Sequence, residues 1–193
     1  MTSVAEDNQN RKYPGQLNSV QLNIVLLVDV ANTLATNSLE GNVFMLDNSP
    51  DSPNKGTARL QTVCQQGQVL NWLVYSMDSE QRYDGSWPPS ARILNIVVLD
   101  ETGEGVSLFQ AYAQFRAYGA PDKLRSPFTP VYYYVAGTVM PDLPPGNYKY
   151  RVILEIDTND RAATRYMEFG SPSLMVLPLN YKHAASSLDQ DSK

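Results

Sequence analysis

Tyr148-Lys-Tyr-Arg-Val-Ile-Leu-Glu-Ile-Asp157 is the cleanest alternation in the chain. Tyr148, Tyr150, Val152, Leu154 and Ile156 fall on one side of an extended backbone; Lys149, Arg151, Glu155 and Asp157 fall mostly on the other. A period of two is the mark of a strand with one dry and one wet face, and a helix would spread the same residues around its axis. Downstream, a turn at 158–161 leads into strands at 164–169 and 173–177. Upstream, Pro-Asp-Leu-Pro-Pro-Gly-Asn (141–147) reads as a turn, preceded by a strand at 131–139.

The same period runs back toward the N-terminus. In residues 20–30, Val20, Leu22, Ile24, Leu26, Val28 and Val30 point one way, and Val25 and Leu27 share the other face with Gln21, Asn23 and Asp29. A short turn or helix follows at 32–39, closed by Gly41. Strands are expected at 43–46, 57–64 and 69–77, with a turn-rich loop at 48–56 and a turn at Gly67. A long loop at 78–90 precedes a mainly apolar stretch at 91–100, the pattern of a central strand. A glycine-rich hairpin turn at 101–105 leads to alternation over 106–118, and a Pro-rich loop fills 119–130. The sum is an all-β, single-domain antiparallel β-sandwich of about ten strands, with barrel closure as the competing arrangement. Its expected limits are 19–179, between a flexible polar leader (1–18) and a flexible polar tail (180–193).

Composition narrows the chemistry. The chain has 193 residues, one histidine (His183) and one cysteine (Cys64). Histidine does most acid–base work near neutral pH, and zinc sites need clustered Cys and His, so those routes are nearly closed. One cysteine gives no disulfide within the chain, which favours a reducing compartment. The net charge of −5, with no basic stripe, argues against nucleic acid as a partner. The longest strongly apolar run, residues 24–28, is too short to cross a bilayer, and no apolar export signal opens the sequence. The expectation is a cytoplasmic protein with no membrane span, and no Gly-rich phosphate loop, nucleophile elbow or zinc motif is present.

In order and spacing, several blocks together resemble one family, the bacterial PixA/AidA inclusion body proteins. They are Asn23-Ile-Val-Leu-Leu-Val-Asp-Val30, Val43-Phe-Met-Leu-Asp-Asn48 with its Ser/Pro/Asn loop, and Gly56-Thr-Ala-Arg-Leu60. Gly67-Gln-Val-Leu-Asn-Trp72 follows, where the family has a glycine shortly before a tryptophan. Tyr133-Tyr134 with Gly137, Gly146-Asn-Tyr-Lys-Tyr150 and Ser173-Leu-Met-Val176 complete the likeness. It covers residues 22–177. The resemblance implies a β-sandwich and a cytoplasmic protein that accumulates in quantity, expressed with population density or host association. It brings no defined biochemical activity, and the polar leader and tail depart from some members.

The candidate site residues carry competing readings. Asp29 is either a ligand contact or, more simply, a cap accepting backbone N–H groups where strand becomes turn. Trp72, with Leu70 and Val74, reads as core. Trp87 lies in the 78–90 loop beside Arg82, Tyr83 and Asp84, a grouping that suits a sugar ring: the aromatic face stacks and polar neighbours meet hydroxyls. The same Trp-Pro-Pro turn also suits a lid folded onto the sandwich. Asp47, Asn48, Asp51 and Asn54 form one oxygen-rich loop, and Asp157, Asn159 and Asp160 another; calcium takes such ligands, yet neither has a known calcium spacing and Asx residues favour turns. The tyrosine run 132–134, with Tyr112, Tyr118, Tyr148 and Tyr150, suits a subunit interface and cross-strand packing equally. Two carboxylate pairs, Glu155 with Asp157 and Glu101 with Glu104, fall on a solvated face and in a turn, so neither promises a shifted acid. Cys64 reads as a small core residue.

The preferred expectation is therefore a non-enzymatic, self-associating accessory protein with no catalytic residue, metal or cofactor. Asp29, Asp47 and Asn48 are its candidate polar or cation contacts. The alternative is a carbohydrate-binding sandwich using Arg82, Tyr83, Asp84 and Trp87. A hydrolase would need a deep pocket lined by two carboxylates.

Overall fold

A computed structural model describes residues 21–78, 80, 82–99, 105–106, 109–110, 116–118, 132–158 and 163–179. Leader, tail, His183, Glu101, Glu104, Asn159, Asp160 and most of the 106–130 stretch lie outside the described residues. So do the side chains of Tyr112, Tyr118, Tyr132 and Tyr133.

The strands are β1 (Leu22–Val28), β2 (Val43–Asp47), β3 (Gln61–Gln65), β4 (Val69–Ser76), β5 (Ala91–Leu99) and β6 (Gly105–Val106). They continue with β7 (Phe109–Gln110), β8 (Arg116–Tyr118), β9 (Tyr132–Val139), β10 (Gly146–Asp157), β11 (Thr164–Phe169) and β12 (Ser173–Leu177). A single described helix, α1 (Val30–Thr36), follows β1. Two six-stranded sheets result. The first runs β2-β1-β4-β9-β7, with β8 also on β9; the second runs β3-β12-β10-β5-β6, with β11 also on β10. This is the expected all-β sandwich.

Alternation decides what each sheet buries. Leu22, Ile24, Leu26 and Val28 of β1 face inward, as do Leu70, Trp72 and Val74 of β4 and Tyr150, Val152, Leu154 and Ile156 of β10. The two bulkiest buried rings meet between the sheets. Trp72 from the first and Tyr150 from the second pack edge to face, 5.9 Å between centroids at 75°. The indole Nε1–H donates to the Tyr150 hydroxyl at 3.3 Å, which satisfies the one polar atom of a fully buried tryptophan.

Three features correct the sequence reading. Not every pair is antiparallel: β1 runs parallel to β4, and β12 parallel to β3. Each parallel pair joins strands far apart in sequence, so periodicity carries no sign of it. The apolar run of β5 contains a β-bulge. Ile153 pairs with Asn95 and Leu154 with Ile93, leaving Leu94 as the extra residue, 42% exposed. Lastly, the first strand ends at Val28, and Val30 begins α1 rather than extending the strand.

Candidate functional site

The loop between β4 and β5 crosses from the first sheet to the second, anchored where Ala91 N–H donates to the Ser76 hydroxyl. Its tip is a tight turn. Gly85 N–H donates to the Arg82 carbonyl at 2.9 Å, and Arg82 N–H to the Ser86 carbonyl at 2.9 Å. Gly85 has φ +80°, a backbone that L side chains rarely adopt. Asp84 accepts from both the N–H and the hydroxyl of Ser86, and those bonds hold its carboxyl below the usual range. Tyr83 stands fully exposed. Arg82 reaches toward Asp78 at 3.8 Å. Trp87 differs from these: it is half-buried, its indole nitrogen is covered, and that nitrogen has no partner among the described residues.

Asp29 is the N-cap of α1. One carboxylate oxygen accepts the Asn32 N–H at 3.0 Å and the other the Asn32 side-chain amide at 2.7 Å. Asn48 does similar work at the sheet edge. Its Oδ1 accepts the Asn23 N–H at 2.8 Å and its Nδ2 donates to the Gln21 carbonyl, so the side chain prolongs the β1–β2 ladder.

Asp47 is not a loop residue. It ends β2 in phase with the inward-facing Val43 and Met45, and its side chain is wholly buried. Neither of its carboxylate oxygens accepts an aligned hydrogen bond among the described residues. Its compensation is the Lys55 ammonium, 3.3 Å from Oδ1, which also donates to the carbonyls of Asp47 and Ser49. Lys55 thus occupies the place a cation would take in this oxygen-rich loop, and the neighbouring Asn54 (φ +62°) serves as a turn former. The buried carboxylate is felt across the core. Burial first, then the Asp47 charge, pushes the Cys64 thiol up to about 12; the Tyr150 hydroxyl is raised chiefly by burial.

On the outer face of the second sheet, Ser90, Arg92, Glu155, Asp157 and Thr164 line a recess of about 170 Å³. Strand register builds it: Glu155 lies opposite Arg92 on one side and Tyr166 on the other, and Asp157 lies opposite Thr164. Arg92 grips both oxygens of Glu155 in a fork, Nε to Oε2 at 2.7 Å and Nη2 to Oε1. Glu155 is consequently only 12% exposed, drier than the solvated face expected for it. Asp157 remains exposed beside it. Sequence reading named the Glu155–Asp157 pair but missed the recess, because its other residues come from β5, β11 and the residue before β5.

The outer face of the first sheet is unusually apolar. Cross-strand register lines up Leu46, Val25, Leu73 and Tyr134 in one row and Phe44, Leu27 and Tyr75 in the next. Phe44 and Leu46 are exposed and the others half-buried. Beyond one end, Asn71 donates to Asn23 and Gln21 in a polar border.

Fold and surfaces together define a two-sheet β-sandwich whose sheets each carry parallel as well as antiparallel pairs. Residues 20–84 match a family described as a domain of unknown function, DUF8788. No curated protein matches the chain. Among solved structures, the chain is similar to an inclusion body protein, PixA, from Burkholderia cenocepacia J2315. That superposition has a TM-score of 0.53 at 13% identity and covers 81% of this chain and 95% of the other. A family 123 glycoside hydrolase from Clostridium perfringens matches far more loosely, with a TM-score of 0.30 at 13% identity over 62% of this chain and 22% of that one. The shared architecture with PixA is that of the fold. Among the described residues no helix is long and apolar enough to cross a membrane, and no three His, Cys, Asp or Glu residues cluster as metal ligands.

Proposed function

We propose that this chain is a non-enzymatic, self-associating accessory protein of the PixA/AidA type, accumulating in the bacterial cytoplasm under population-density or host-linked control. The observation that carries self-association is the apolar outer face of the first sheet. Outer faces of sandwiches usually alternate to polar residues, and here two adjacent rows do not. Two copies packing these faces together would form an isologous interface, with aromatic and aliphatic side chains at the centre and the Asn23–Asn71 amides at the rim. The fold shared with an inclusion body protein agrees with this reading.

Light scattering across a concentration series tests it. The native chain is expected to run as a dimer or larger species, and Phe44→Lys with Leu46→Lys as a monomer of unchanged melting temperature. A native chain that stays monomeric at high concentration refutes the proposal. A second reading, carbohydrate recognition by Arg82, Tyr83, Asp84 and Trp87, draws support from the full exposure of Tyr83. A glycan array with the Trp87→Ala variant alongside tests that one.

A further inference from the structure

The recess on the second sheet has a chemistry that neither reading uses. Its lining mixes one guanidinium, two carboxylates and two hydroxyls, four of the five residues set on strands and Ser90 directly before β5. We infer that this recess, with Tyr166 at its edge, is a binding site for a single neutral sugar ring.

Charge narrows the ligand first. Two carboxylates beside one another repel an anion. A divalent cation would have to approach the Arg92 guanidinium, which already neutralises Glu155. A neutral ligand rich in hydroxyls meets neither objection. Hydrogen-bonding capacity narrows it further. Asp157 has no side-chain partner among the described residues, and each oxygen of Glu155 retains a lone pair after the Arg92 fork. Acceptors are in surplus, so the ligand must bring donors, as vicinal hydroxyls do. The Ser90 and Thr164 hydroxyls rotate to donate or accept and so adapt to either.

Shape and stacking complete the argument. Tyr166 lies across from Glu155 in register, on the same outer face, and is 64% exposed. An exposed ring next to a row of polar groups gives a sugar one face to stack on and one edge to hydrogen-bond. At about 170 Å³ the recess suits one ring; sites for larger small molecules run to roughly 300–1,000 Å³. The Arg92 fork holds Glu155 in place before any ligand arrives, which lowers the ordering cost of binding.

Saturation-transfer NMR and calorimetry on the full chain test the inference, with the methyl glycosides of glucose, galactose, mannose and N-acetylglucosamine as probes at millimolar concentration. At least one glycoside is expected to bind. Asp157→Ala should weaken it about tenfold, the loss expected for hydrogen bonds to a charged acceptor. Tyr166→Ala should weaken it too, by roughly fivefold. Both residues are exposed, so melting temperatures should hold, and Trp87→Ala should bind normally. Silence toward all four glycosides overturns the inference, as does binding that survives Asp157→Ala. Loss in Trp87→Ala alone moves the site to the 82–87 loop and overturns it as well. A calcium-dependent rise in melting temperature that vanishes in Asp157→Ala, with no glycoside bound, replaces the sugar with a cation. None of these outcomes bears on self-association, which is read from mass.

Discussion

Replacing Lys55 by methionine should destabilise the protein far more than the loss of a surface lysine normally does. The Asp47 carboxylate is wholly buried and accepts no aligned hydrogen bond among the described residues, so the Lys55 ammonium at 3.3 Å is what offsets its charge. Removing one partner of a fully buried pair costs about 3–5 kcal/mol, because the remaining charge is left unpaired. Lys55 keeps about a third of its side-chain exposure, and water already screens that side. The expected cost therefore falls to roughly 2–3 kcal/mol. In a domain of this size that corresponds to a fall in Tm of about 4–12 °C. Asp47→Leu in the Lys55→Met background removes the stranded charge and should recover most of the loss. What is not recovered, about 1 kcal/mol, belongs to the Asp47 and Ser49 carbonyls that the ammonium also bridges. Urea unfolding followed by tryptophan fluorescence reads all four corners of this double-mutant cycle. A Lys55→Met cost below about 0.5 kcal/mol, or two substitutions that simply add, refutes the reasoning.

Three further outcomes are expected. Asp29→Ala removes the side-chain acceptor for Asn32 N–H at the start of α1 and should cost about 1 kcal/mol in thermal unfolding, whereas Asp29→Ser should cost little. Cys64 should resist iodoacetamide at pH 8 in the folded chain and react on unfolding, because burial holds the thiol protonated. Its folded pKa is raised from 9.0 to about 12, so the stability it contributes is complete below pH 9 and declines as pH climbs toward 12. The slope is at most about 1.4 kcal/mol per pH unit. Tyr150 is raised in the same direction and steepens the decline above pH 10. Cys64→Ala should flatten the segment between pH 9 and 10, and a slope unchanged by that substitution counts against the assignment.

How far the sequence could be read depended on whether a residue's neighbours lay along the chain. β10 was legible because its alternation from Tyr148 to Ile156 is interrupted only at Ile153, and the inward face matches the expectation. α1 was nearly so, since Asp29 caps its start as expected. β5 resisted because a mainly apolar run has little phase; Arg92 and Asn95, both exposed and three positions apart, were the trace of the bulge. Asp47 carried its signal in its parity with Val43 and Met45, hidden by the turn formers after it. Lys55, Ser90, Arg92 and Thr164 gave no signal of a site, and Glu155 with Asp157 showed only as a carboxylate pair on a solvated face. Their partners are set by loop closure and by strand register across gaps of tens of residues. The candidate sugar loop was legible as a turn, but not the covering of the Trp87 nitrogen, which depends on what the loop folds against.

The parallel pairing of β3 with β12 sets a timetable for synthesis. Among the described residues β3 lies at the end of its sheet, with β12 as its one neighbour. Ser173 to Leu177 must therefore leave the ribosome before Gln61 to Gln65 can bond along its edge. For more than a hundred residues of elongation the edge of β3 that takes β12 lacks its partner, while the N–H groups of Val63 and Gln65 have local acceptors in Ser52 and Gln68. At high local concentration a partner strand can come from another nascent copy. The self-association proposed above from the folded surface thus has an earlier opening, in crowding during translation while β3 still lacks β12.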